Sequence, residues 1–212
     1  MSTPEQSSQG FEMFPWNSHF ETGIELIDQQ HRKLVAILNR LGRRFTGADD
    51  IQFHALLQDL LDYTHYHFSA EEQIWQKHFR GQPLFQGHHQ AHELFFQQVQ
   101  AYWRAEEGGE QDIEGLLDFL TRWLAFHILE SDRRMALMVK GLENGLDIEQ
   151  ARSQADDQLS GPVAVMVQAL LETYGKLSSN AVELIREKAA RQRAEAEVRV
   201  LRKQLDHRGA PD

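Results

Sequence analysis

The chain contains no cysteine. That absence excludes thiolate zinc sites, iron–sulfur clusters and disulfides, and it leaves the redox compartment undetermined. Any metal must be held by histidine and carboxylate. Also missing is an apolar run approaching the ~20 residues of a membrane span. The start, MSTPEQSSQG, has neither the basic segment nor the apolar core of a secretory signal. A cytoplasmic protein with no membrane partner is the expectation. Cationic charge is short as well, with 22 Lys and Arg against 32 Asp and Glu and a net charge of −10. Nucleic acid is therefore not an expected partner, because gripping a phosphate backbone needs a local basic stripe, and the only one lies near the C-terminal end.

What is present is enough to build one core and a helical appendage: 212 residues, 41% of them hydrophobic. Gly, Asp and Pro cluster at FTGADD (45–50), FRGQP (79–83) and EEGGEQD (106–112). Between these turn signals apolar residues recur at helical spacing. The first helix is expected from about Thr22 or Asp28 to Arg44, on Ile27, Leu34, Val35, Leu38 and Leu41. The second is expected over about 51–79, on Leu56, Leu57, Leu60, Leu61 and Phe68. The third spans about 84–107, with Leu94, Phe95, Val99 and Tyr102, and the fourth about 112–140, with Leu116, Leu117, Leu120, Leu124, Ile128 and Met135. The predicted fold is all-α, an antiparallel up-down four-helix bundle.

Five histidines interrupt these stripes, at His31, His67, His88, His92 and His127, with Glu71 and Asp132 beside them. Residues four apart share a helix face, so His67 with Glu71 and His88 with His92 each present two donors to one centre. His31 and His67 lie at nearly equal separations from the turn near residue 48, and His92 and His127 do so from the turn near 109. Equal separations mean equal height in an up-down bundle, roughly 25 Å from that end. Seven polar groups in one buried layer would cost several kcal/mol without a partner, which points to metal. They are too many for one tetrahedral zinc and suit two octahedral ions with an open position. Asp132 is the least determined member, since residues five apart sit about 140° apart on an ideal helix. Glu130 and Ser131 are its local alternatives. His19, His54, His65, His78, His89 and His207 are read as structural.

The ligand pattern resembles that of the bacterial hemerythrins: a lone His on the first helix, HxxxE on the second, HxxxH on the third and HxxxxD on the fourth. The flanking ETGIELIDQQH (21–31) and WLAFHILESD (123–132) are similar too, and the resemblance covers roughly residues 11–140. It implies a non-haem di-iron site in which His88, His92 and His127 hold one iron and His31 and His67 the other, bridged by Glu71, Asp132 and an oxo or hydroxo group. It further implies O2 as the partner, taken up at the second iron. A set rich in imidazole favours reversible binding for sensing, storage or delivery. The competing expectations are a di-iron enzyme acting on peroxide, NO or Fe(II), and an interaction protein that the metal merely stabilises. Trp123 and Phe126, beside His127, are candidate shields of the pocket.

Domain limits are expected at a disordered tail (1–10), the bundle (11–145), a polar linker (146–160), a C-terminal helix (161–206) and a tail (207–212). Within the bundle, FEMFPW (11–16) is expected to lie across the helices. The C-terminal helix carries one apolar stripe from Val163 to Ile185 and a weaker one at Ala194, Val198, Leu201 and Leu205. It must either pack back on the bundle or pair with a second copy. The simplest expectation is a parallel homodimer through residues 163–205, a coiled coil open to a signalling partner and coupled to the metal layer through 141–160. Removing residues 160–212 is then expected to leave a monomeric bundle that still binds iron and oxygen.

Overall fold

A computed structural model describes residues 12, 14–45, 50–106 and 113–208. The expected tail at 1–10 and the last four residues lie outside the described residues, as do most of the turns at 45–50 and 106–112. The helices are α1 (Glu25–Phe45), α2 (Asp50–Phe79), α3 (Pro83–Glu106), α4 (Ile113–Phe126), α5 (Arg133–Glu143), α6 (Ile148–Gln158) and α7 (Gly161–Arg208). The fold is an all-α bundle.

Side-chain capping starts α1. The Asp28 carboxylate accepts from the backbone N–H of Thr22 at 2.6 Å, its hydroxyl at 2.8 Å and the N–H of Gly23 at 3.1 Å. Gly23 sits at φ 86°, where a side chain would be strained. Between α2 and α3, Gly81 at φ 79° forms the turn, and Pro83 opens α3 at the position where its missing N–H costs nothing. Leu34, Leu38, Leu41, Leu57, Phe68, Val99, Leu117 and Ile128 form the main core. Leu94, placed with the core of α3 by its spacing, instead faces outward.

The fourth helix is not continuous α-helix. Residues His127–Asp132 form a π-helical segment joining α4 to α5. Its wider i→i+5 turn brings residues five apart onto one face.

The polar connection predicted at 146–160 is α6. Asp147 accepts from the Gln150 N–H at 2.9 Å, and the Gln150 side chain accepts in return from the Asp147 N–H at 3.1 Å, a reciprocal cap. Buried Ala151 and Ala155 dock α6 on α5. The approach is so close that a Cβ on Gly141 would lie 3.0 Å from that of Ala151. Two small alanines in a polar segment give little hydrophobic periodicity, which is why the helix was not legible.

The first half of α7 packs on its own bundle, so the seam expected through residues 163–205 does not extend over it. Val167, Tyr174, Ser178 and Ala181 are buried, and this stretch packs along α4. Arg122 of α4 donates to the Gly175 carbonyl at 3.4 Å and to the Ser179 hydroxyl at 3.2 Å. Gly175 leaves the room, since a Cβ there would meet the guanidinium at 2.8 Å. The N-terminal arm is wedged beside this interface. Asn39 of α1 accepts the Phe14 N–H and donates to the Phe14 carbonyl, both at 2.9 Å. Phe14 and Phe20 pack on Tyr174, with ring centroids 4.6 and 5.1 Å away. The Tyr174 hydroxyl donates to the Pro15 carbonyl and accepts from Asn17. α4 and the arm thus touch the last helix directly, in addition to the chain connection through 141–160. Beyond Ala181 every described side chain of α7 through residue 204 is exposed.

Candidate metal centre

All seven predicted residues are buried, with relative exposures of 0–6%. They converge from α1 (His31), α2 (His67, Glu71), α3 (His88, His92) and the π segment (His127, Asp132). The donor atoms fall into two overlapping groups: Glu71, His88, His92 and His127, and His31, His67, Glu71 and Asp132. Glu71 Oε1 faces His31 Nε2 at 3.8 Å and His67 Nε2 at 3.6 Å. Its Oε2 faces His88 at 3.6 Å, His92 at 3.5 Å and His127 at 3.8 Å. Asp132 straddles the groups likewise, with Oδ2 at 3.2 Å from His31 and Oδ1 at 3.5 Å from His88 and 3.1 Å from His127.

The π segment explains Asp132. On an ideal α-helix it would turn away from His127, but the wider turn carries its carboxylate back into the layer. Glu130 and Ser131 are half-buried instead. The six histidines read as structural stay out of the layer wherever their side chains are described, with His19, His65 and His89 exposed. Phe126 does not shield the pocket and is 53% exposed. Trp123 does, stacking on the His127 ring at 4.3 Å, while Phe68 stacks on His92 at 3.6 Å.

Two contributors were not foreseen. Glu72 Oε1 takes the Nδ1 of His92 and of His89, each at 2.8 Å, and Gln30 Oε1 takes the Nδ1 of His67 at 3.0 Å. The adjacency of Glu72 to Glu71 was the available signal, since neighbours on a helix point about 100° apart, toward different helices. Gln30, beside His31, gave none.

The donor set fits metal. His31 Nε2, His67 Nε2, His88 Nε2 and all four oxygens of Glu71 and Asp132 are buried without a hydrogen-bond partner. His92 Nε2 and His127 Nε2 lie 3.0 Å apart. Leaving so many buried polar atoms unsatisfied would be strongly unfavourable, and shared cations would satisfy them together. Donor separations of 3.0–3.8 Å also approach the ~3.0 Å edge of an octahedron with ~2.1 Å bonds.

Protonation follows from the same packing. Burial pulls His31 and His127 down, but Asp132 and Glu71 outweigh it and raise both to about 9. His67 is lowered to about 4 by burial, and burial lowers His88. Burial pushes Glu71 up, and the imidazoles around it, His67 first, hold it well below the usual carboxylate range. Asp132 is held low by His127 and His31 against burial and Glu71. At pH 7 the metal-free layer thus carries two carboxylates and protonated His31 and His127. A metal takes neutral imidazole, so loading is expected to release about two protons per chain at pH 7. The release should fade as pH rises through about 9, where both rings are already neutral. In the metal-free protein the stabilisation from these raised rings is complete below their ordinary 6.5 and lost across that same rise. Indicator-dye titration with Co(II) at pH 7 and pH 10 measures the difference.

Comparison with known proteins places residues 22–139 on the hemerythrin HHE cation binding domain. The chain is 33% identical to a bacteriohemerythrin of Stenotrophomonas maltophilia over 125 residues, 59% of this chain and 80% of the relative. It is 35% identical to a bacteriohemerythrin of Clostridium acetobutylicum over 127 residues, 57% of this chain and 97% of the relative. A hemerythrin-like protein of Naegleria gruberi is 30% identical over 122 residues, 57% and 89% of the two chains. No solved structure matches.

Proposed function

The chain belongs to the hemerythrin HHE family, and from that premise we propose that it holds a di-iron centre and binds O2 there reversibly. His88, His92 and His127 would hold one iron, His31 and His67 the other, with Glu71 and Asp132 bridging. The observation that carries this reading is the pair of donor groups with Glu71 common to both. The iron pair, when bound, supplies the electrons that let O2 attach and leave. The chain's own residues position and enclose. Phe68 and Trp123 cover the imidazole faces, and beneath them Leu34, Leu38, Leu60, Phe95, Leu120 and Leu124 line an apolar cavity of about 20 Å³. An apolar-lined space of that size suits an apolar diatomic rather than an anion. Five imidazoles to two carboxylates favour the ferrous state and hence release over oxygenation.

The test loads the full-length protein with iron anaerobically and admits air. About two irons per chain and a visible absorption that vanishes on deoxygenation are expected. Filling the cavity by Leu120→Phe should slow O2 uptake roughly tenfold, the effect of ~1.4 kcal/mol on an entry barrier, without changing iron content. Steady turnover of peroxide or NO well above that of free iron would replace this reading with an enzyme on the same scaffold.

No helix among the described residues is long and apolar enough to cross a membrane, and the reading is of a cytoplasmic protein. It includes a second copy as partner, through the exposed part of α7. Leu184, Val198 and Leu201 are apolar and half exposed there. With Leu184 and Val198 two heptads apart at a, and Leu201 at d, Glu197 falls at g and Arg202 at e, which meet across a parallel pair. A helix that grips α4 at one end and a second copy at the other would suit oxygen sensing. That pairing is also where a signalling partner would read it.

A further inference from the structure

The two halves of the centre are backed unequally. Behind His92, on the Nδ1 side away from the layer, stands the Glu72 carboxylate at 2.8 Å. Behind His67 stands the neutral amide oxygen of Gln30 at 3.0 Å. His31 Nδ1 has no hydrogen-bond partner. Each acceptor holds its imidazole with a proton on Nδ1 and the lone pair of Nε2 turned into the layer, but only a carboxylate adds negative charge behind the ring and makes Nε2 a stronger donor. Glu72 is itself fixed, because the same oxygen accepts from His89 Nδ1 at 2.8 Å and His89 Nε2 lies 3.6 Å from Glu93. The face of His92 is pinned by Phe68, whose ring lies 3.6 Å away and within 2° of parallel. Orientation and charge therefore converge on a single ligand, in the half that already has three imidazoles.

We propose that Glu72 is a positioning residue that makes the centre bind its two metal ions unequally, the His88–His92–His127 half holding its ion more tightly than the His31–His67 half. This rests on the two-metal reading above. Metal then leaves the His31–His67 half first, so that a chain short of iron keeps one ion on α3 and the π segment while the half nearest α1 stands empty. His89 has the opposite sense to Glu72. It draws on the same oxygen, so removing it leaves more of the carboxylate's charge to His92.

The experiment extracts iron from the anaerobic, fully loaded, full-length protein with a ferrous chelator in excess. The parent should lose its two ions in separate phases. Glu72→Gln keeps an acceptor of the same shape and removes the charge, and it should speed the slow phase by about 10–100-fold while leaving the fast phase alone. Gln30→Glu places a carboxylate behind His67 and should slow the fast phase. His89→Leu should leave the slow phase as slow or slower. A purely structural role for Glu72 would move both phases together with the melting temperature. Two ions leaving the parent at one rate, or Glu72→Gln changing neither phase or both alike, overturns the inference. Failure of the two-metal reading is distinguishable, since it would appear as fewer than two ions per chain before any chelator is added. Should Glu72→Gln not fold, Gln30→Glu still decides, because an unchanged fast phase there shows that charge behind a ligand does not set retention.

Discussion

Glu71→Ala is expected to empty both halves of the centre at once, taking the purified protein from about two ions per chain to nearly none. Glu71 is the one residue common to both donor groups, with Oε1 turned to His31 and His67 and Oε2 to His88, His92 and His127. Removing it takes a negative charge and two oxygens from a fully buried layer, and leaves Asp132 alone to face the five imidazoles. Their mutual repulsion when protonated should lower stability at neutral pH as well. His31→Ala provides the contrast. It belongs to one group only, and Glu71, His88, His92 and His127 stay together, so about one ion per chain should remain. Elemental analysis of the two variants beside the parent measures both. Equal metal content in Glu71→Ala and His31→Ala would refute the shared-carboxylate geometry.

Cutting the chain before α7 should do more damage than its place at the end suggests. Val167, Tyr174 and Ala181 are buried against the bundle, and Tyr174 holds Phe14, Phe20, Pro15 and Asn17 of the arm. Deleting residues 161–212 bares the α4 face and releases those rings, at a cost on the order of 5 kcal/mol from the lost apolar burial. That is comparable to the whole stability of many domains. The effect should reach the metal layer. The arm's Ser18–Phe20 turn touches the π segment, and Arg133 donates to the His19 carbonyl at 3.1 Å, one residue past Asp132. Deleting only residues 186–212 removes exposed helix and should leave both the urea midpoint and the iron content unchanged, while abolishing the dimer we propose. Urea titration and light scattering of the two truncations separate these roles. A 161–212 deletion as stable as the parent would show that α7 docks without supporting the bundle.

The distinction between those truncations marks a limit of sequence reading. The apolar stripe from Val163 to Ile185 is evident from its spacing, and a stripe of that length demands a partner. Which partner is a different question, because the same stripe satisfies a second copy or the chain's own α4. What selects α4 is shape. Gly175 leaves space for the Arg122 guanidinium, and Tyr174 closes over an arm whose own apolar residues are too few to announce a site.

The residues of the buried layer were legible for a simple reason. Buried His and Glu in an apolar stripe contradict the pattern around them, and i,i+4 spacing is a local property of one helix. His31, His67, Glu71, His88, His92 and His127 all follow from those two facts and from equal distances to the turns. Asp132 did not, because its place depends on a π turn whose only sequence trace is the carboxylate itself. The residues behind the layer's imidazoles were not legible either. Glu72 and Gln30 are ordinary helix-surface residues by composition, and they matter because another helix presents His92 or His67 to them. Composition, periodicity and turn chemistry are written along the chain, so by themselves they determined an all-α bundle with a histidine layer. Tertiary packing decided the backing of each imidazole, the docking of α6 and α7 and the shielding of the pocket by Trp123 rather than Phe126, because each depends on distances between side chains that meet only when the helices do.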